Sequence, residues 1–323
     1  MRGGSPEGPR TVRIGTRGSA LARWQASWVG ERLRSRFSGL QIQYVIVQTQ
    51  GDRILDVPLA QVGGKGLFVK EIEDALLEGR VDVAVHSMKD LPVELPEGLQ
   101  LAAIPEREDP RDVLISSGGL PFTGLRQGAR VGTSSLRRRA QLLYHRADLK
   151  VVGLRGNVDT RIRKLESGGL DAVVLAAAGV ARMGFGQMVT EVMAPEDFVP
   201  AIGQGALGIE IRGDDEELNR MIGELDHGFT RTCVEAERAF LRKLHGGCQV
   251  PIGALATIEG GMVHLRGMVA DVDGSPMFRG EIRGPLPDSA RRGVELAERL
   301  LQQGAGRVLE ALYGKMYEEP GPP

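Results

Sequence analysis

The sequence predicts an α/β protein with two or three domains. Its 323 residues exceed the size at which one hydrophobic core keeps growing. Two segments, beginning at Val12 and Ala129, repeat one design in which a short apolar strand, a polar turn and a helix follow one another. From about Gly228 onward the chain has the spacing of an antiparallel meander with helices, which predicts a smaller α+β domain.

The first segment starts with a strand over Val12–Thr16 and a polar turn that contains Arg17 and Ser19. The following helix carries apolar residues at helical spacing, among them Trp24 and Trp28, and we expect these rings to pack in the core rather than to contact a cofactor. Helix N-termini have unsatisfied N–H groups and a positive dipole end. The turn before this helix is therefore a candidate anion site.

A glycine-rich turn, VGGKGLF, follows the second predicted strand, Ile42–Val47. It carries Lys65 ahead of a helix from about Leu67 to Leu77. The turn lacks the spacing and the Lys-Ser/Thr pair of a nucleotide-binding P-loop. We therefore expect a mobile loop that presents one cation.

The stretch Val81–Pro92, VDVAVHSMKDLP, places polar side chains at the end of a strand. Valines alternate with other residues up to His86, as in a buried or half-buried strand. In open α/β sheets, ligands bind at the carboxyl ends of strands. Asp90 is accordingly the leading candidate for chemistry; the alternative is that it is only a solvated loop carboxylate. The polar cluster consists of Ser87, Lys89 and Asp90.

A run of prolines predicts that the chain crosses into a second unit near residues 100–110. There, a strand over Ala129–Thr133 leads through two serines into a helix over Leu136–His145, which begins with three consecutive arginines. Cations at a helix start oppose the helix macrodipole. They cost stability there unless an anion compensates, and we interpret this local conflict as the mark of a functional site.

Two further predicted strands of the second unit, Val151–Leu154 and Leu170–Ala177, also end close to arginines. Between Arg126 and Lys164, eleven Lys and Arg stand against two acidic residues. We expect these strand ends to form one basic rim, and the alternative is a merely solvated basic surface. The rim would comprise Arg137, Arg138, Arg155, Arg161 and Arg182.

Composition and spacing argue against several kinds of ligand. The 41 Lys and Arg nearly cancel the 42 Asp and Glu, and the basic segment has one aromatic residue, Tyr144, and no helix-turn-helix or zinc spacing, which argues against nucleic acid. Clustered arginines with serines at helix starts favour a small ligand with several carboxylates or phosphates. The five histidines show no ligand spacing, so no metal is expected.

The cysteines and the termini bear on location. Two cysteines cannot form a disulfide framework, and no apolar run approaches 18 residues, so we expect a reducing cytoplasm and no membrane. Residues 1–10 lack the apolar core of a signal peptide. They and residues 317–323 are expected to be disordered tails.

After the second unit, a strand over Leu207–Ile211 is expected to recross to the first one. A helix over Thr230–Leu244 carries Cys233, and Gly246 and Gly247 are expected to end it. Cys248 then lies on a glycine-flanked loop, where its thiol is either reactive or inert, because nothing in the sequence fixes its pKa. The meander is predicted over Ile252–Ile258, Met262–Ala270 and Pro276–Ile282, with helix in Val294–Leu312.

Five motifs in this order, HSMKD, VGTSSLRR, LRGNV, GQGALGIE and GGCQVPIG, resemble the porphobilinogen deaminase (hydroxymethylbilane synthase) family of tetrapyrrole biosynthesis. The resemblance runs from about Val12 to Tyr313. It implies two domains similar to type II periplasmic binding proteins, with the active cleft between them, and a third domain whose cysteine, Cys248, holds a dipyrromethane cofactor through a thioether. The implied domains are 11–105 with 201–224, 106–200 and 228–316.

The resemblance also implies the reaction. Four porphobilinogen molecules are condensed head to tail onto the bound dipyrromethane, with loss of ammonia, and hydroxymethylbilane is released by an enzyme expected to be monomeric. The family's catalytic aspartate matches Asp90. Motif matching assigns cofactor and substrate contacts to Arg17, Ser19, Lys65, Ser87, Lys89, Thr133, Ser135, Arg137, Arg138, Arg155, Gly156, Arg161, Arg182 and Gln204.

Two positions depart from the family pattern. Gln61 stands where relatives often have lysine, which gives more weight to Lys65, and Arg139 adds a cation beside the usual pair. Two other functions fit parts of the sequence: a non-catalytic binding module for a small dicarboxylate, which leaves Cys248 unexplained, and a nucleic-acid binder, which rests only on the basic segment.

Overall fold

The computed structural model describes residues 10–50, 69–246 and 250–317, and in this part of the chain the first sheet has five strands. The order across the sheet is β2-β1-β3-β10-β4. The first three of these strands are parallel, whereas β10 is antiparallel to both of its neighbours. The strands are β1 (Thr11–Thr16), β2 (Gln41–Ile46), β3 (Val83–Ser87), β4 (Leu99–Ala103) and β10 (Leu207–Arg212).

The second sheet repeats this arrangement. Its order is β7-β6-β8-β5-β9, with three parallel strands followed by β5, which is antiparallel to both of its neighbours. The predicted fold class, a pair of similar α/β domains with a smaller α+β domain, is confirmed. The strands are β5 (Asp112–Ser116), β6 (Arg130–Gly132), β7 (Lys150–Val152), β8 (Ala172–Ala176) and β9 (Glu191–Val192).

Six helices accompany these two sheets in the described ranges. The apolar residues of α1 that are fully buried are Ala26, Val29 and Leu33, all of which pack in the core of the first sheet. None of these helices, nor any other described one, is long and apolar enough to cross a membrane. The helices are α1 (Ala20–Arg36), α2 (Lys70–Leu77), α3 (Leu136–His145), α4 (Val158–Glu166), α5 (Ala177–Arg182) and α6 (Glu216–Gly223).

The prediction that both tryptophans of α1 lie in the core is wrong for Trp24. Its side chain is 37% exposed, whereas Trp28 is half-buried against the first core. The helix approaches the sheet through small residues, and Gly30 is one of them: a Cβ atom there would lie 2.3 Å from the Tyr44 hydroxyl. The larger ring of Trp24 is therefore left at the edge of the contact.

Two linkers join the units that carry the first and second sheets. Residues 104–111 run from β4 to β5, and residues 193–206 return from β9 to β10, so the chain recrosses as expected. The linkers touch where the Glu108 N–H donates to the Gly205 carbonyl (3.3 Å) and Arg107 Nε donates to the Gln204 carbonyl (2.8 Å). The two linkers are thus joined to each other where they cross between the units.

The third sheet has the antiparallel order β11-β12-β13 and packs against three helices. Its core is centred on Phe240, Leu265 and Leu296. The single helix predicted within Val294–Leu312 is interrupted, because Gly304 has φ 115°. The elements are α7 (Gly228–Lys243), β11 (Ile252–Glu259), β12 (Met262–Ala270), β13 (Met277–Pro285), α8 (Ser289–Leu300) and α9 (Gly306–Tyr317).

A carboxylate of α7 ties the third sheet's unit to both linkers. Glu237, whose side chain is fully buried, accepts hydrogen bonds from Arg107 Nη1 (2.5 Å), the Gly203 N–H (2.7 Å) and the Ala256 N–H (2.9 Å). Arg107 lies on the first linker, Gly203 on the second and Ala256 on β11. One buried ion pair therefore links three parts of the chain.

Two predictions about the ends of the chain, and one about the end of α7, need correction. Arg10, expected in a tail, is fixed by Asp215 (2.7 Å) and Glu217, and Tyr317, also expected in a tail, closes α9. Helix α7 ends at Lys243, and the left-handed conformation after it is taken by His245 (φ 51°). Gly246 follows it, and its N–H donates to the Leu241 carbonyl (3.1 Å); Gly247 lies outside the described residues.

Candidate active site

The turn that carries Asp90 stands on a buried methionine. Strand β3 ends at Ser87, and Met88–Asp90 form a single 3-10 turn in which Met88 is 1% exposed. The Met88 N–H donates to the Ala206 carbonyl (3.0 Å), and a Cβ atom at Gly203 would lie 2.7 Å from the Met88 Cβ. The second linker therefore packs against the Met88 side of the turn. Lys89 and Asp90 remain half-buried at the end of the strand.

The arginines at the start of α3 surround a buried carboxylate, that of Asp112. Arg137 Nη1 donates to Asp112 Oδ2 (2.8 Å), and Arg138 donates to Asp112 Oδ1 through Nε (3.1 Å) and Nη2 (2.8 Å). Arg137 also donates to the Val199 carbonyl (2.6 Å), and Arg138 to the Val174 carbonyl (3.0 Å). The protein itself thus supplies an anion that compensates the arginines at the start of α3.

Burial alone would raise the pKa of Asp112, but the charges and hydrogen bonds of Arg137 and Arg138 outweigh it and hold this pKa well below its usual range. Burial lowers the pKa of Arg137, which Asp112 opposes. The two arginines are 4% and 6% exposed. The alternative of a merely solvated basic surface is therefore wrong for these two side chains, and the rim stays a prediction.

Asp90 belongs to the same charge cluster. Burial lowers the pKa of Lys89 to about 8, with Asp90 and Asp112 opposing this shift and Arg138 and Arg137 adding to it. Burial likewise lowers the pKa of Arg161 to about 10, with Arg138 adding to the shift and Asp90 opposing it. Asp90 and Arg138 both act on Lys89 and on Arg161, so these four charged groups lie within range of one another's charges.

The loop before α4 shapes the next part of the cluster. Arg155 is half-buried, Gly156 has φ 114°, and Arg161 Nε donates to the Gly156 carbonyl (2.8 Å). A Cβ atom at Gly156 would lie 2.7 Å from Thr160. The glycine is therefore needed both for its backbone conformation and for the space that the first turn of α4 occupies.

Arg182, at the end of α5, reaches the crossing of the linkers. Its Nη2 donates to the Gly205 carbonyl (2.8 Å), and its guanidinium carbon lies 5.6 Å from the centre of the Trp24 ring. Its Nε is buried, with no acceptor among the residues that the structure describes. Burial lowers the pKa of Arg182, and Glu108 opposes this shift.

The predicted hydroxyl ligands all lie at element ends. Ser19 caps α1 by accepting from the Ala22 N–H (3.3 Å), and Ser135 caps α3 by accepting from the Arg138 N–H (3.4 Å). Thr133 accepts from the Ser135 N–H (3.2 Å). In each case the oxygen is the acceptor, which leaves the hydroxyl hydrogen to donate to an anion. Arg17, beside Ser19, is half-buried.

Two further predicted contacts, Ser87 and Gln204, have protein partners, and three residues lie outside the described part of the chain. Ser87 accepts from Gln25 Nε2 (2.9 Å). Gln204 is 1% exposed and donates through Nε2 to Asp112 Oδ1 (2.8 Å) and to a main-chain carbonyl of the first linker, so it lies behind Asp112. Lys65 and Cys248 lie outside the described residues, as does Gln61.

Arg139 and Cys233 are accounted for by packing. Arg139 turns away from the other arginines and donates to Asp273 (2.9 Å) and to the Val272 carbonyl (3.2 Å), joining the second unit to the third. Cys233 is 7% exposed, and burial, reinforced by Glu237, raises the pKa of its thiol to about 11. Cys233 is therefore a core residue and a poor nucleophile.

Comparison with known proteins decides the family. Residues 12–220 match the family described as "Porphobilinogen deaminase, dipyromethane cofactor binding domain", and residues 231–302 match "Porphobilinogen deaminase, C-terminal domain". The chain belongs to the porphobilinogen deaminase family. The porphobilinogen deaminase of Pelobacter propionicus is 56% identical over 305 residues (94% of this chain, 98% of the relative), and that of Geobacter metallireducens is 55% identical over 305 residues (94% and 96%).

Solved structures resemble it more remotely. The BenM effector binding domain with its effector benzoate gives a TM-score of 0.42 at 13% identity, covering 68% of this chain and 91% of that one. A Salmonella typhimurium periplasmic binding protein with high arginine specificity gives a TM-score of 0.39 at 16% identity, covering 67% of this chain and 91% of that one.

The family match makes the chain an enzyme, a transferase of the porphobilinogen deaminase type.

Two buried glutamates of this deaminase, Glu73 and Glu210, were not predicted from its sequence. His86 Nε2 lies 2.9 Å from Glu210 Oε2 on β10, and both side chains are buried. Glu73 of α2 is 7% exposed; burial, reinforced by Glu210, raises its pKa to about 7, with His86 opposing. The oxygens Glu73 Oε1 and Glu210 Oε1 are buried without a hydrogen-bond partner among the described residues.

The ionisation of Glu73 should make stability depend on pH. Its folded pKa, about 7, lies above its ordinary value of 4.5. The protonated form therefore contributes stability that is fully present below pH 4.5 and is lost as the pH rises through 7. Glu73→Gln stays neutral, so its free energy of unfolding should gain on the parent's between pH 5 and pH 8, by up to about 3 kcal/mol.

Urea unfolding at several pH values measures this difference. Glu78→Gln, in the exposed pair with Arg80 just beyond α2, is the matched control and should show no pH-dependent gain. A constant difference between Glu73→Gln and the parent from pH 5 to pH 8 would contradict the assignment.

Proposed function

We propose that Asp90 is the catalytic carboxylate of this enzyme, which condenses four porphobilinogen molecules head to tail and releases hydroxymethylbilane and ammonia. The observation that carries the proposal is the charge cluster, in which Asp90 acts on the ionisation of both Lys89 and Arg161. A carboxylate beside these cations can accept hydrogen bonds from pyrrole N–H groups.

Asp90 acts on the charge that develops in the substrate. Loss of ammonia from porphobilinogen breaks the aminomethyl C–N bond and leaves a cationic azafulvene, which a fixed carboxylate stabilises. The same carboxylate can accept the proton that the α-carbon loses when the new C–C bond forms. Its position on a turn anchored by buried Met88 limits the reorganisation that each cycle requires.

The surrounding cations bind the carboxylates of the pyrroles. Each pyrrole carries an acetate and a propionate, so every condensation adds two negative charges. Within the described cluster, four cations (Lys89, Arg137, Arg138 and Arg161) face two carboxylates, Asp90 and Asp112. This excess of positive charge suits a polyanionic chain. Further donors are Arg17, Ser19, Lys65, Ser87, Thr133, Ser135, Arg155, Gly156 and Arg182, with Gln204 supporting Asp112.

The dipyrromethane, which we assign to Cys248, supplies the free α-carbon to which the first porphobilinogen is added. The donor set suits this group, because a buried N–H at Arg182 has no acceptor among the described residues and because cations exceed carboxylates in the cluster. Cys248 is the better of the two thiols for a tether, since Cys233 is buried and its pKa is raised to about 11. The thiol holds the chain and needs no general base.

The proposal also covers the domain bounds, the oligomeric state and the location of the enzyme. The units are 11–105 with 201–224, 106–200 and 228–316, and the active cleft lies between the first two. The enzyme acts as a monomer in the cytoplasm, on porphobilinogen, without nucleic acid or membrane.

The tether is tested by intact-protein mass spectrometry. The purified parent should carry the added mass of one dipyrromethane, and Cys248→Ala should have the bare chain mass, because the thioether sulfur is gone. Cys233→Ala is the matched control and should keep the added mass. A parent of bare mass that still converts porphobilinogen would contradict the assignment, and a bare, inactive parent would favour a non-catalytic binding module.

The role of Asp90 is tested by an isosteric change. Asp90→Asn should keep the fold, because the turn is held by Met88 and main-chain hydrogen bonds. Its kcat should fall by at least about 100-fold, in the range that a removed charge-stabilising or proton-transfer group costs. Single-turnover formation of enzyme-bound intermediates measures this directly. Turnover within a few fold of the parent would rule out the role.

A further inference from the structure

Trp24 takes no part in the proposed chemistry, yet it lies against a residue that does. Its ring is 37% exposed, and the guanidinium carbon of Arg182 lies 5.6 Å from the ring centre. Trp24 belongs to α1, beside the first sheet, and Arg182 to α5, beside the second. Leu21 and Gly179 of the same two helices also approach each other. The cation–π contact therefore spans the two units.

One donor of the Arg182 guanidinium is bonded to the protein, and another has no acceptor among the described residues. Nη2 donates to the Gly205 carbonyl (2.8 Å), which also accepts from the Glu108 N–H (3.3 Å) at the crossing of the linkers. Nε is buried and has no acceptor in the described part of the chain. A buried N–H without an acceptor is unfavourable, so the arrival of a carboxylate would stabilise this arrangement.

A competing acceptor lies nearby. The negative charge of Glu108 acts on Arg182 and attracts its guanidinium. An arginine has several rotatable bonds, and without a second contact the side chain could turn from its present orientation toward this carboxylate. The flat ring of Trp24 opposes that movement, because a guanidinium over an aromatic face is held electrostatically and by stacking.

We propose that Trp24 is a positioning residue for the condensation reaction: it holds the Arg182 guanidinium so that its Nε–H stays directed to a carboxylate of the bound pyrrole chain. The inference rests on the proposed function, in which Arg182 is a carboxylate ligand. It predicts that losing the Trp24 ring weakens substrate binding and leaves the chemical step at Asp90 intact.

Trp28 offers a matched control on the same helix. The Arg32 guanidinium carbon lies 5.0 Å from the Trp28 ring centre, so the contact is of the same kind, but both of its members belong to α1. Trp28→Leu removes a ring and a cation–π contact without touching Arg182. It therefore reports what the loss of a tryptophan from α1 does by itself.

The experiment compares the parent holoenzyme with Trp24→Leu, Trp24→Phe and Trp28→Leu, after mass spectrometry has shown equal dipyrromethane loading. Trp24→Leu should raise the KM for porphobilinogen roughly 3- to 30-fold, the range of a partly to fully desolvated cation–π contact, with kcat within about twofold. Trp24→Phe keeps an aromatic face and should restore most of the loss. Trp28→Leu should leave KM unchanged.

The proposal is overturned if Trp24→Leu leaves KM within about 1.5-fold of the parent, if Trp28→Leu raises KM equally, or if Trp24→Phe rescues nothing. A parent that does not consume porphobilinogen would refute the proposed function itself, whereas an active parent with an unchanged Trp24→Leu variant would refute only this inference.

A second measurement covers the case in which Trp24→Leu folds poorly. The chain has two tryptophans, so Trp28→Phe leaves Trp24 as the single indole fluorophore. Adding porphobilinogen should change its emission, and the change should disappear when Arg182→Leu is added. Emission that does not respond to porphobilinogen in an active Trp28→Phe enzyme would overturn the proposal.

Discussion

The buried carboxylate of Asp112 is the interaction on which the rest of the site depends. It accepts hydrogen bonds from Arg137, Arg138 and Gln204, and so joins the start of α3 to both linkers. Two guanidinium groups that are almost fully buried would be strongly unfavourable without it. With it, they become fixed positive charges beside Lys89 and Arg161. A polyanion that enters this space meets charges that are already in place.

A second buried carboxylate, that of Glu237, holds the two linkers together. Glu237 binds Arg107 of the first linker and the Gly203 N–H of the second, while the second linker supports Met88 beneath the Asp90 turn. The third unit is thereby connected through buried groups to the turn that carries Asp90.

The sequence predicted elements and motifs better than it predicted partners. Alternation through Val85 predicted β3 and therefore the position of Asp90, and three arginines opposing a helix dipole indicated a functional site. That Asp112 compensates these arginines was not predictable, because the residue is distant in sequence and its burial depends on the return of β10 and the second linker. The prediction for Trp24 was wrong for a related reason. Helical spacing shows which residues share a face of the helix, but tertiary packing decides whether that face contacts a sheet or an arginine of another unit.

A double-mutant cycle between Asp112 and Arg138 tests the central claim most directly. The free energy of unfolding is measured for the parent, Asp112→Asn, Arg138→Met and the double variant. If Asp112 is what makes the buried guanidinium tolerable, Asp112→Asn alone should cost about 3–5 kcal/mol, and the double variant should recover part of that loss, giving a coupling energy above about 1.5 kcal/mol. A coupling energy within about 0.5 kcal/mol of zero, with additive single changes, would contradict the account.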